Sequence, residues 1–178
     1  LIPKIGNNNT VHNVVNKQKI NINIFLNEQC KDALTMNEFI DKINVTLDDL
    51  QITKDMGICE GVSNIFIENM NKLSLYERPM HCTDAKRETV YIKSNTDKDG
   101  NSEWFKDVEN KNLKQAINKI SKAQQKKIDM WIEAHPNWKN NSDEQKEYLK
   151  LIKNCTDDLS ENNKEQKIIK RVCDVVQV

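Results

Sequence analysis

From Asn110 to Ala134, the residues Leu113, Ala116, Ile117, Ile120, Ala123, Ile128 and Trp131 recur at helical spacing, with lysines filling the opposite side. A helix of that period buries one face only and needs partners to pack against. His135-Pro136 stops it, because proline cannot continue the hydrogen-bond ladder. Other segments carry similar signals. Thr35-Met-Asn-Glu38 is a capping box that opens a helix with Phe39, Ile40 and Ile43 inward. Thr46-Leu-Asp-Asp49 is a second, shorter start, and Gly57 breaks the pattern. Val62, Ile65, Phe66, Met70 and Leu73 place a helix over 60–73. Ser142-Asp-Glu-Gln145 opens another, with Tyr148, Leu151, Ile152 and Cys155 inward, and Ser160 to Asp174 is the last. The pattern predicts a mainly α-helical domain.

Two stretches depart from it. Glu88 to Lys93 is β-branched and aromatic, Asn95 to Gly100 is a turn, and 102–107 returns, which predicts a β-hairpin. Ile20, Ile22, Ile24 and Leu26 alternate with polar residues until Phe25 interrupts them, which predicts an N-terminal β-strand. A lone apolar strand is a template for pairing. Its partner is the hairpin or the same strand in a second copy, and two-fold pairing predicts a dimer or higher homo-oligomer through these four residues. Residues 1–17, with Gly6 and the run Asn7 to Asn9, read as a linker or arm, and 18–178 as a single domain. The start without Met reads as a piece of a longer protein.

Charge narrows the partners. Lys+Arg and Asp+Glu number 27 each, so the chain lacks the overall basic excess usual in domains that live on phosphate contacts. The basic character is local. Lys111, Lys114, Lys119, Lys122, Lys126 and Lys127 follow one another with no acid between Glu109 and Asp129. Such a stripe either lies along a nucleic-acid backbone or is a solvated helix face. No aromatic residues interleave, so single-strand stacking is not suggested. The five cysteines are odd in number, widely spread and without a C-x-x-C, which fits reduced thiols in an intracellular, non-secreted setting rather than a zinc ribbon or disulfide framework. No apolar run approaches the ~20 residues of a membrane span. No cofactor, metal or membrane association is expected.

The densest polar cluster is the run Tyr76 to Lys93, YERPMHCTDAKRETVYIK. His81, Cys82, Asp84, Arg87 and Glu88 are its candidate catalytic residues. A nucleophilic cysteine needs a base within hydrogen-bond reach and a lowered pKa. Neighbours on an extended segment point to opposite sides, so His81 is poorly placed to activate Cys82. The structural alternative is a corner in which Asp84 caps a turn, Cys82 is buried and the Arg78, Lys86, Arg87 and Glu88 charges pair internally. Asp84 with Lys86 and Glu88 is also a fragment of a metal-nuclease set, but a weak one. Trp131 and Trp138, flanking His135-Pro136, read as core anchors.

The segments INIFLNEQCKDAL (22–34), GICEGVSNIFIENMNKL (57–73), ERPMHCTDAKRETVYIK (77–93), EWFKD (103–107) and the W…HPNW of 131–138 together resemble a family of proteins from nucleocytoplasmic large DNA viruses. Those giant-virus proteins often carry an N-terminal C2H2-type zinc finger, an Asn-rich linker and a C-terminal domain of this kind. The resemblance implies an origin and a domain arrangement more than a mechanism. It implies possible DNA association for the full-length protein, and a place in the host cytoplasm at the viral factory or in the virion. No zinc ligand carries over to this segment. The expectation is a non-catalytic interaction or oligomerisation domain that scaffolds a DNA-associated or virus-factory protein. The alternatives are direct nucleic-acid binding through Lys111–Lys127 and an enzyme centred on His81–Glu88.

Overall fold

The computed structural model describes residues 21–96 and 100–178. The expected arm over 1–17, Ile20 and the tip of the 95–100 turn lie outside the described residues. The chain is mainly helical around a small antiparallel sheet. The helices are α1 (Ile22–Ile24, continuing as a π-helical turn over Phe25–Gln29), α2 (Met36–Lys42), α3 (Leu47–Met56), α4 (Ile58–Asn71), α5 (Lys111–Gln125), α6 (Ile128–Ala134), α7 (Ser142–Cys155) and α8 (Lys164–Val175). The strands are β1 (Met80–Asp84), β2 (Thr89–Asn95) and β3 (Ser102–Lys106), in the order β1-β2-β3. No helix among the described residues is long and apolar enough to cross a membrane.

The local signals account for most of the helix starts. Thr35 and Thr46 both form full capping boxes, with Glu38 and Asp49 reaching back to the Thr35 and Thr46 backbone amides at 2.7 and 2.9 Å. Gly57, at φ +92°, ends α3 and begins α4, a conformation that an L side chain resists. α7 differs in its cap. Asn141, not Ser142, accepts the amides of Asp143 and Glu144, and Ser142 is the first helical residue. The single helix expected over 110–134 is two, joined by a turn at Lys126-Lys127. Gln124-Gln125-Lys126-Lys127 offers no large apolar side chain to hold that turn, while Ile128 and Trp131 beyond it are buried. α8 starts at Lys164 rather than Ser160, after turns in which Asn162 and Asn163 take positive φ.

The expected N-terminal strand is helical. Asn21 caps it, accepting the Asn23 amide at 3.1 Å, and the Cys30 amide bonds back to the Phe25 carbonyl at 3.0 Å. Ile22, Phe25, Leu26 and Cys30 follow i, i+3, i+4, i+8, and this spacing prevails over the alternation of Ile22, Ile24 and Leu26. Leu26 is 2% exposed and Ile24 48%, the reverse of a shared apolar strand face. Self-association by pairing this segment as a strand therefore loses its basis.

The expected hairpin is β2 and β3, paired Tyr91↔Lys106 through Asn95↔Ser102. β1 adds a third strand in register Met80↔Ile92, His81↔Tyr91 and Cys82↔Val90. Its outer edge is covered by the chain's last residues. The Cys82 amide donates to the Val176 carbonyl and the Val178 amide to the Cys82 carbonyl, at 3.2 and 3.0 Å. Alternation along the strands divides two cores. Met80, Cys82, Val90 and Ile92 face the main core with Phe66, Ile117 and Trp131. On the other face, Tyr91 and Trp104 pack against Phe25, Leu26, Cys30 and Ala33. Trp131 stacks on His135 at 4.0 Å between ring centroids, and His135 Nδ1 lies 2.8 Å from the Trp131 carbonyl oxygen, closing the end of α6. Trp138 is half-buried against Tyr148.

Candidate functional site

The residues singled out between His81 and Glu88 do not converge. His81 and Cys82 occupy opposite faces of β1. Cys82 is buried in the main core, where its thiol meets that of Cys173 on α8. The hydrogen bond between the two holds the Cys82 pKa down and pushes that of Cys173 up. Asp84 accepts the Arg87 amide at 3.0 Å and pairs with the Arg87 guanidinium at 3.7 Å, bracing the turn from β1 to β2. Glu88, at φ 50°, ends that turn and contacts Gln166 of α8. Arg78 forms no ion pair among the described residues, and its Nε is buried without a partner. No group of three possible metal-ligating side chains occurs among the described residues.

His81 instead meets a residue 51 positions away. Its Nε2 lies 3.6 Å from Cys30 Sγ, bringing the FLNEQCKDA and RPMHCTD segments together. Phe25 lies edge-on to the imidazole at 5.0 Å, and Trp104 lies 5.5 Å away on the same face. The loop after Cys30 is clamped by donors from the sheet. Trp104 Nε1 donates to the Cys30 carbonyl at 3.3 Å, and Lys93 Nζ donates to the carbonyls of Lys31 and Ala33 at 2.5 and 2.9 Å. Sequence reasoning missed Cys30. The alternation that turns His81 away from Cys82 is the signal that it needs another partner.

A thiol within reach of an imidazole is the geometry of an activated nucleophile, but the electrostatics here run the other way. Burial pushes the His81 pKa down to about 4, with the Arg78 charge adding to it. Burial also pushes the Cys30 thiol up, against the opposing pull of Lys93. Both side chains are therefore neutral near pH 7, and both residues are 0% exposed. The pair acts as a joint between α1 and the sheet rather than as a thiolate–imidazolium couple.

The surface of α5 is different. Lys111 with Lys114 and Lys119 with Lys122 are i, i+3 pairs on its solvent side, opposite the buried Leu113, Ala116, Ile117 and Ile120. Lys126 and Lys127 fall in the turn beyond the helix and are exposed. Lys111 pairs with Glu109 at 3.3 Å, and Lys119 donates to Asn37 Oδ1 at 2.9 Å. One carboxylate of α8, Glu165, reaches this face, where it accepts from Asn118 at 2.7 Å. Among the described residues Lys114, Lys122, Lys126 and Lys127 form no ion pair. Lys114, Gln115, Asn118, Lys119 and Lys122 border one open hollow of about 380 Å3. Compared with protein-family models, curated proteins and solved structures, the chain matches none.

Proposed function

We propose that this chain is a non-catalytic binding domain whose partner is nucleic acid, held by its phosphates on the lysine face of α5. The observation that carries the reading is that four lysines share one solvent face of a helix whose other face is anchored in the main core. A cationic row on a rigid support keeps its spacing, and each lysine that meets a phosphate releases condensed counterions. The resemblance to giant-virus proteins with an N-terminal zinc finger supports a DNA-associated role at the viral factory or in the virion. The burial of His81 and Cys82 on opposite faces favours binding over catalysis as the reading of this fold.

The test is salt-dependent affinity for a labelled oligonucleotide, read by fluorescence anisotropy. Four phosphate contacts predict a log–log slope of about −3.6 on duplex DNA, and a loss of roughly a hundredfold in affinity between 50 and 200 mM salt. K114E/K122E, which changes two side chains on the solvent face, is expected to abolish binding and leave the unfolding midpoint near that of the parent. Affinity that ignores salt, or a charge-reversed protein that binds like the parent, rules the reading out.

A further inference from the structure

Beside the lysine face lies a second hollow, between α2, β2 and α5, of about 120 Å3. Gln115 and Lys119 line both this hollow and the lysine-bordered one, so the two adjoin. Met36 and Ile40 form its apolar part, and Asn37, Ser94 and Gln115 bring polar groups to it. Lys119 occupies the Asn37 side-chain oxygen and leaves the amide NH2 free. The Ser94 hydroxyl and the Gln115 amide have no hydrogen-bond partner among the described residues. Three side chains that together donate and accept therefore meet beside a row of cations.

We propose that this hollow is a base-recognition subsite, so that the nucleic acid bound on α5 is single-stranded and turns one base into it. The proposal rests on the reading of α5 given above and names its ligand. Its size is of the order of the ~150 Å3 void that takes a benzene ring. Being smaller than that void and open on one side, it takes the hydrogen-bonding edge of one heterocycle and has no room for a base pair. The ligand must also carry anionic charge next to a neutral, planar group with donors and acceptors on its edge, and a nucleotide has both. The Gln115 amide, with both its oxygen and its NH2 free, matches the N6 and N7 edge of adenine, which makes adenine the preferred base. No aromatic side chain lines the hollow, so hydrogen bonds rather than ring stacking supply the discrimination.

The experiment compares the whole chain's affinity for a labelled oligo-dA, an abasic strand of equal length and a duplex of equal length. Adenosine monophosphate is tested as competitor. Oligo-dA is expected to bind about tenfold more tightly than the abasic strand or the duplex, as two or three hydrogen bonds to a base edge allow. Ser94→Ala with Gln115→Ala is expected to erase that difference and keep the salt slope. Gln115→Ala alone, a neutral change at an exposed position, serves the same purpose should the double variant fold poorly. If the abasic strand or duplex binds as well as oligo-dA while the salt slope persists, the subsite is wrong and the lysine face stands. Competition by the monophosphate at concentrations comparable to the oligonucleotide also overturns the single-strand assignment. If nothing binds in a salt-dependent way, the lysine-face reading falls and the subsite falls with it.

Discussion

Lowering the pH from 7.5 to 5 is expected to weaken the fold by about 2 kcal/mol, and His81→Phe is expected to remove most of that loss. The cause is the position of His81, packed against Phe25 and Trp104 with its Nδ1 buried and unpartnered. Beside it stand Cys30, whose thiol is neutral, and the Arg78 cation, and no carboxylate among the described residues compensates an imidazolium. Its pKa falls from 6.5 to about 4 on folding. Between these values the unfolded chain binds more protons than the folded one. Stability is therefore complete above pH 6.5 and drains away as the pH drops toward 4, at about 1.4 kcal/mol per unit. The full loss is on the order of 3 kcal/mol, an upper figure because the site can relax. Carboxylates act in a different window. Glu38, Asp55, Glu77 and Asp158 are held below their usual range by hydrogen bonds from Thr35, Gln51, Ser74 and Ser160, and lose their contributions only as the pH falls through and below about 4. Urea unfolding of both proteins at pH 7.5, 6 and 5 reads the difference. Parallel pH dependence in parent and variant means that His81 is not the buried base described.

The elements that could be read from sequence are those whose causes are local. The Thr35 and Thr46 capping boxes complete themselves within four residues, and the β2–β3 hairpin is set by its own turn and β-branched residues. The lysine face of α5 is legible for the same reason, since helical period alone puts those lysines opposite the apolar stripe. What escaped depends on distant partners. Residues 22–26 satisfy both an alternating and a helical pattern. The choice falls to Asn21 as a cap and to the surface of Tyr91 and Trp104 that receives Phe25 and Leu26. β1 has little β-branched character, and is a strand because Val90 and Ile92 pair with it on one side and the end of the chain on the other. The Cys30–His81 contact and the Asn37–Ser94–Gln115 hollow each join segments dozens of residues apart, which no local pattern records.

Gly61→Ala is expected to destabilise the protein by about 3 kcal/mol, although the same change in an exposed helix adds roughly 1 kcal/mol of stability. Gly61 lies inside α4 directly against Thr53 of α3. A Cβ built there would stand 2.7 Å from Thr53 Cβ and 3.0 Å from Thr53 Cα, so the obstacle includes backbone and not only a side chain that can swing aside. Thr53 is not free to yield. Its one hydroxyl proton is shared between the Asp49 carbonyl, at 3.1 Å, and Gln124 Oε1, both acceptors, which ties α3 to α5 at the same point. Pushing α3 from α4 therefore leaves the buried Gln124, whose Nε2 already lacks a partner, with its oxygen unpaired as well. The strain is specific to one pair of residues, so it can be separated from a general loss of packing. In a Thr53→Gly background the Cβ has somewhere to go, and Gly61→Ala is expected to cost much less there than in the parent. Urea unfolding of the four proteins of this cycle gives the coupling directly. If Gly61→Ala proves neutral or stabilising in the parent, the close crossing of α3 and α4 is not the contact that holds α5 and its lysine face in place.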